Sequence, residues 1–147
     1  MTEFSPGILD VLVAAGWRAD RHVDVDGWRA GLAEDGLRMH AAAEAFLASF
    51  GGLKIDVRGP GVSCAREPFE LNPLLASGEG DRFIDWGAET GKSLFPVGEF
   101  GEGRLFLAID ENSQIYGLSD WLAKYGPYDE ALAKLISGIL PDDVTPA

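Results

Sequence analysis

The spacing of apolar residues changes at Gly51-Gly52, and that change limits the folds open to this chain. Before the glycine pair, apolar side chains recur every three or four residues, as on one face of a helix; after it, runs that alternate or have strand length appear between two further helical stretches. Ser5 can cap a first helix with Pro6 at its opening position, and Ile8, Leu9, Leu12 and Val13 form a stripe that ends at Gly16. Asp24 can cap a second helix carrying Val25, Trp28 and Leu32 before Gly36. A third begins near His40, places Ala43, Phe46, Leu47 and Phe50 at i, i+3, i+4 and i+7, and stops at the glycine pair. Each stripe covers half a helix, so these helices must pack on another layer.

The remaining sequence supplies that layer. Leu53 to Val57 alternates as a half-buried strand does, Gly59-Pro60-Gly61 marks a turn, and Glu67 to Leu71 offers another strand. Residues 79–90 predict a fourth helix with Phe83, Trp86, Gly87 and Thr90 on one side. Leu94 to Val97 is short and extended, held by Pro96 to an edge or a strand end. Arg104 to Ile109 and Gln114 to Leu118 read as a hairpin across Asp110-Glu111-Asn112-Ser113. A last helix carries Leu132, Leu135, Ile136 and Ile139. Helices followed by strands, without βαβ alternation, predict a single α+β domain over 5–140 and a flexible tail over 141–147.

With 147 residues and 46% hydrophobic content, the chain can bury a core without a metal or disulfide staple. Its one cysteine, Cys64, excludes an intramolecular disulfide framework and suits a reducing compartment. No apolar run approaches the roughly 20 residues of a membrane-spanning helix. The opening Met-Thr-Glu-Phe carries an acid where a secretory signal has basic residues, so the reading is cytoplasmic. The net charge of −12 is spread evenly, as −4, −3 and −5 over residues 1–50, 51–100 and 101–147. Binding nucleic acid directly, or an anionic membrane, calls for clustered cations that this chain lacks. A basic protein is the partner that such a field suits, beside the plainer reading that the charge serves solubility.

Several motifs come close to known chemistry and fail for physical reasons. Gly91-Lys92-Ser93 resembles the end of a phosphate-binding loop, but Trp86 stands where that loop needs glycine, and the triplet leaves a helix instead of opening one. Asp110, Asn112 and Gln114 alternate like the start of a calcium loop, yet Ile115 and Trp121 occupy the positions of its obligatory Gly and Glu. Gly101-Glu102-Gly103 lacks the third glycine of a dinucleotide fingerprint. Ser63-Cys64 lacks the flanking glycines of a nucleophile elbow, and Cys64, His22 and His40 are scattered along the chain. The sequence therefore assigns no catalytic residue, no metal ligand and no cofactor. A small hydrolase holding magnesium through Glu67 and Glu70, or through Asp81 and Asp85, is a minor alternative.

One constellation stands out. Asp81, Asp85 and Glu89 fall at i, i+4 and i+8 and align three negative charges along one helix face. That spacing destabilises a helix by a few tenths of a kcal/mol per pair. Arg82, three residues from both Glu79 and Asp85, offsets part of it. The stripe is either a solvated face or a dock for a cationic partner.

The series Ala15-Gly16-Trp17, Arg21, Val23-Asp24 and Trp28 resembles the opening of SUKH superfamily immunity proteins of the third subgroup. The resemblance continues through Phe46-Leu47, Phe50-Gly51-Gly52-Leu53, Gly59-Pro60-Gly61, Phe83, Trp86, Leu94-Phe95-Pro96-Val97-Gly98, Phe106-Leu107, Ile109-Asp110 and Tyr116. It spans about residues 8–140. The chain departs from it at Ser113, where similar proteins carry glycine at the hairpin tip, and at Asp20. The resemblance implies helices packed on a mixed, largely antiparallel sheet. It also implies an antidote in bacterial polymorphic toxin systems, which binds a cognate toxin, often a nuclease or nucleic-acid deaminase, and performs no chemistry. A regulatory or adaptor domain for an unrelated protein is the alternative. Under the first reading the partner-binding candidates are Asp81, Asp85 and Glu89, with Glu79 beside them, Glu111 at the hairpin tip, and Trp121 and Tyr128 as aromatic anchors. Both aromatics are otherwise the edge of the packed core. Gly16, Trp17, Trp28, Phe50, Gly51 and Gly52 are scaffold.

Overall fold

The computed structural model describes residues 4–146. Three helices come first: α1 (Pro6–Ala14), α2 (Asp26–Ala33) and α3 (Ala41–Phe50). Proline opens α1 as expected, but only Ile8 and Leu12 of its stripe are buried, while Leu9 and Val13 face outward. Asp24 stands two residues before α2, and its carboxylate accepts the Asp26 N–H at 2.9 Å. In α3 all four stripe residues are buried, and His40 caps the helix by accepting the Ala43 N–H on Nδ1 at 3.1 Å.

The halt of α3 has a steric origin. A Cβ on Gly51 would lie 2.5 Å from the Leu47 carbonyl oxygen and 2.5 Å from the Trp28 ring, and Gly52 has a φ of +88°. Arg21 then covers the exposed end of the helix, donating to the carbonyls of Ser49 at 2.8 Å and Gly51 at 2.7 Å. Its positive charge meets the negative end of the helix dipole. Trp17 stacks on Phe50 at 5.5 Å between centroids. The motifs of the opening third thus clamp α3 in place.

Strands β1 (Lys54–Ile55), β2 (Phe69–Glu70), β3 (Phe95–Phe100), β4 (Leu105–Ile109), β5 (Gln114–Leu118), β6 (Leu122–Pro127) and β7 (Asp142–Asp143) form one sheet in sequence order. A 3-10 turn (Pro73–Ala76) and α4 (Gly80–Thr90) lie between β2 and β3, and α5 (Tyr128–Ser137) lies between β6 and β7. Every pairing of these strands is antiparallel, because neighbours in sequence are neighbours in the sheet and no crossover is made. The expectation of a mixed sheet thus resolves to an antiparallel one, and the α+β class stands. Helices cover both faces. Phe106, Tyr116 and Leu118 share one face and carry α4, whose Phe83 ring lies 5.7 Å from that of Phe106. Leu105, Leu107 and Ile109 share the other, where the His40 ring meets Phe95, the strand partner of Ile109, at 6.5 Å and α5 packs along β5 and β6.

Four segments differ from the sequence expectation. α5 ends at Ser137, where Gly138 takes a left-handed φ of +72°, so Ile139 lies beyond the helix expected to carry it. β3 is longer than Leu94 to Val97 and lies inside the sheet, yet Pro96 pairs with Ala108 of β4 alone, since β2 reaches only Glu99 and Phe100. No β2 acceptor is therefore left waiting for the N–H that proline lacks. β6 is absent from the sequence expectation, because Ala, Lys, Gly and Pro are poor strand residues and pairing with β5 and β7 holds them extended. In the stretch expected to be a flexible tail, β7 pairs with β6, and the Thr145 hydroxyl accepts the Leu122 N–H at 2.9 Å.

Candidate interaction surface

α4 is held by the residues that face inward. Phe83 and Gly87 are buried one turn apart, and Trp86 donates its indole N–H to the Ser119 carbonyl at 3.2 Å. Full burial of a side chain such as Phe83 is worth roughly 2–3 kcal/mol. With that side fixed, helical geometry turns Asp81, Asp85 and Glu89 outward, and all three are exposed. None of them makes an ion pair or side-chain hydrogen bond among the described residues. Arg82 is drawn to Glu79, whose carboxylate accepts its Nε–H at 3.1 Å, and leaves Asp85 unopposed. Asp81 lies in the first turn, where the helix dipole favours an anion.

The tertiary structure enlarges this face with acids that the sequence pattern did not single out. The Asp35 carboxylate, just past α2, accepts the Gly78 N–H at 2.9 Å. A Cβ on Gly80 would lie 2.7 Å from the Asp35 carbonyl oxygen, so the start of α4 is pressed against this corner. Glu34 is exposed beside it. The signal available in the sequence was Gly80, whose lack of a side chain permits the close approach.

The other candidates separate. Glu111 accepts the Ser93 N–H at 3.1 Å and so ties the hairpin tip to the segment following α4, near the Glu89 end of the stripe. Trp121 follows the turn at Ser119 and lies at the mouth of a cavity on the opposite face of the sheet. Tyr128 stands elsewhere, half-buried 5.9 Å from Phe50 and 6.1 Å from Phe46. It belongs with the aromatic cluster around α3.

Residues with catalytic potential are held in structural roles. Asp110 is fully buried and accepts three hydrogen bonds, from the Asn112 and Gln114 N–H groups at 2.8 and 3.0 Å and from the Tyr116 hydroxyl at 2.9 Å. Burial, followed by the Asp110 hydrogen bond and charge, raises the Tyr116 pKa well above that of a free tyrosine. His40 has its Nδ1 on the α3 cap, with Nε2 3.0 Å from the Ser93 carbonyl oxygen. Gly91 takes a φ of +68° and the Lys92 N–H returns to the Gly87 carbonyl at 3.0 Å, so Gly91-Lys92-Ser93 terminates α4. Glu67 pairs with Arg104, and Glu70 lies 4.0 Å from Lys54. Among the described residues no group of three or more His, Cys, Asp or Glu is placed to hold a metal ion, and no helix is long and apolar enough to cross a membrane.

The antiparallel sheet with helices packed on it fits the architecture that the resemblance implies. A search of curated proteins and a search of solved structures each returned no match. The model of the SUKH-3 immunity proteins matches residues 4–138, from the approach to α1 to the end of α5. That span contains six of the seven strands and all five helices described above, and the chain belongs to the SUKH-3 immunity protein family.

Proposed function

We propose that the chain is the cytoplasmic antidote to a polymorphic toxin, and that it acts by presenting the anionic face of α4 to the cationic substrate groove of a nuclease or nucleic-acid deaminase domain. Such grooves are basic because they hold phosphate backbones. The observation that carries this reading is the row formed by Asp81, Asp85 and Glu89: three exposed carboxylates without internal partners on a helix fixed from behind. Glu79, and Glu34 and Asp35 at the end of α2, extend the field, and Glu111 stands near its far end. Opposite potentials speed encounter, which matters when a toxin must be caught before it acts. Occlusion requires no bond-making by the antidote.

The test is reversal of Asp81, Asp85 and Glu89 to Lys, with the cognate toxin domain as partner. The variant should keep the wild-type circular dichroism spectrum and bind at least tenfold more weakly in about 0.1 M salt, mostly through slower association. Protection of cells co-expressing the toxin should fall with it. Equal affinity and full protection by the reversed chain would remove the stripe from the mechanism.

A further inference from the structure

We infer that the cavity beside Trp121 is a binding site for a small molecule made of an apolar body and one carboxylate. The cavity, of about 400 Å³, lies where α5 meets the sheet, on the face opposite α4. Phe100 of β3, Leu105 of β4 and Leu135 of α5 give it apolar walls, and Trp121 stands uncovered at its mouth. Concave, mostly apolar sites of roughly 300–1,000 Å³ with a few placed polar groups are where small ligands bind.

The polar groups of the wall select the ligand. Tyr125 is only 3% exposed, yet its hydroxyl has no hydrogen-bond partner among the described residues and is not sealed in, so it opens on the cavity that the residue lines. A buried hydroxyl without a partner costs stability until something bonds it. Burial pushes the Tyr125 pKa up to about 12, so at neutral pH the group offers a proton to an acceptor. The charged lining is Glu67, Arg104 and Lys134, a net +1 in a chain of net charge −12. Arg104 is already paired with Glu67 and lies 5.5 Å over the Phe100 ring. Lys134 has no carboxylate partner among the described residues; its ammonium donates to the Tyr125 carbonyl at 2.9 Å and keeps its other N–H groups for a ligand. An uncompensated cation and a neutral O–H donor among apolar walls suit one carboxylate. Charge-assisted bonds offset the cost of bringing that anion out of water, whereas a cationic head would meet Lys134 as a like charge.

Calorimetry on the full chain, with no toxin present, compares 4-phenylbutyrate with its neutral amide, 4-phenylbutanamide, and with 4-phenylbutylamine. The acid should bind one to one and about tenfold or more tighter than the amide, with the amine weakest. Lys134→Met should bring acid and amide within about threefold of each other, and Tyr125→Phe should weaken the acid about fivefold or more. In the unmodified chain, saturating acid should slow the alkylation of Cys64, half-buried on the cavity wall, by iodoacetamide about fivefold or more. Equal affinity for acid and amide, an acid that leaves Cys64 unprotected, or parental affinity for the acid in both variants overturns the assignment. Tyr125→Phe and the Cys64 readout decide the matter even where Lys134→Met fails to fold.

Discussion

Replacing Asp110 with alanine removes the acceptor around which the β4–β5 hairpin tip is built. The carboxylate is fully buried and takes three hydrogen bonds, two from backbone N–H groups across the turn and one from Tyr116. Hydrogen bonds to a charged group contribute about 1.5–3 kcal/mol each, and they are not additive. Asn112 is exposed, so water can replace the carboxylate at its N–H, whereas the Tyr116 hydroxyl is buried and left unsatisfied. The net loss should be about 3–5 kcal/mol, a large part of the 5–15 kcal/mol that holds a typical domain together. Tyr116→Phe removes one donor and leaves Asp110 with two, so it should lose about 1–2 kcal/mol. In the double variant the shared bond is lost only once, and the total should fall short of the sum by about 1 kcal/mol or more. Urea unfolding followed by tryptophan fluorescence measures all three. A loss below about 1 kcal/mol for Asp110→Ala, or simple additivity with Tyr116→Phe, would refute the view that this carboxylate organises the hairpin.

Ser113→Gly should stabilise the chain. Ser113 has a φ of +63°, and no side-chain hydrogen bond compensates for it. Relief of about 1–2 kcal/mol of left-handed strain, less the added freedom of glycine in the unfolded chain, leaves a gain of about 0.5–1 kcal/mol, read as a Tm rise of about 2–4 °C; an unchanged or lower Tm contradicts it. Alkaline solution should unfold the protein. Burial pushes Tyr125 up to about 12 and raises Tyr116 as well, so the unfolded chain releases these protons first. Their contribution is intact below pH about 10 and lost as pH rises toward the folded values. Tyrosinate absorbance of Tyr116 and Tyr125 should appear together with unfolding; ionisation near pH 10 in a chain still folded would refute this.

The helical third was legible because its determinants are local. His40, Ala43, Phe46, Leu47 and Phe50 fix α3 by spacing alone, and Gly51-Gly52 end it because Trp28 and the helix's own backbone leave no room for a side chain. The acidic stripe was legible for the same reason, since i, i+4 and i+8 share a face in any helix. β6 and β7 were not, because Leu122–Pro127 and Asp142–Asp143 have little strand propensity of their own and are extended only by the partner that pairs with them. Their pairing also moulds the cavity at Trp121, whose walls come from β3, β4, β6 and α5, far apart in the chain. Sequence by itself determined where the first three helices lie, which charges line α4, and the family. Tertiary structure decided which acids remain unpaired and which aromatics are uncovered, because burial and ion pairing depend on residues brought together only when the sheet closes over its core.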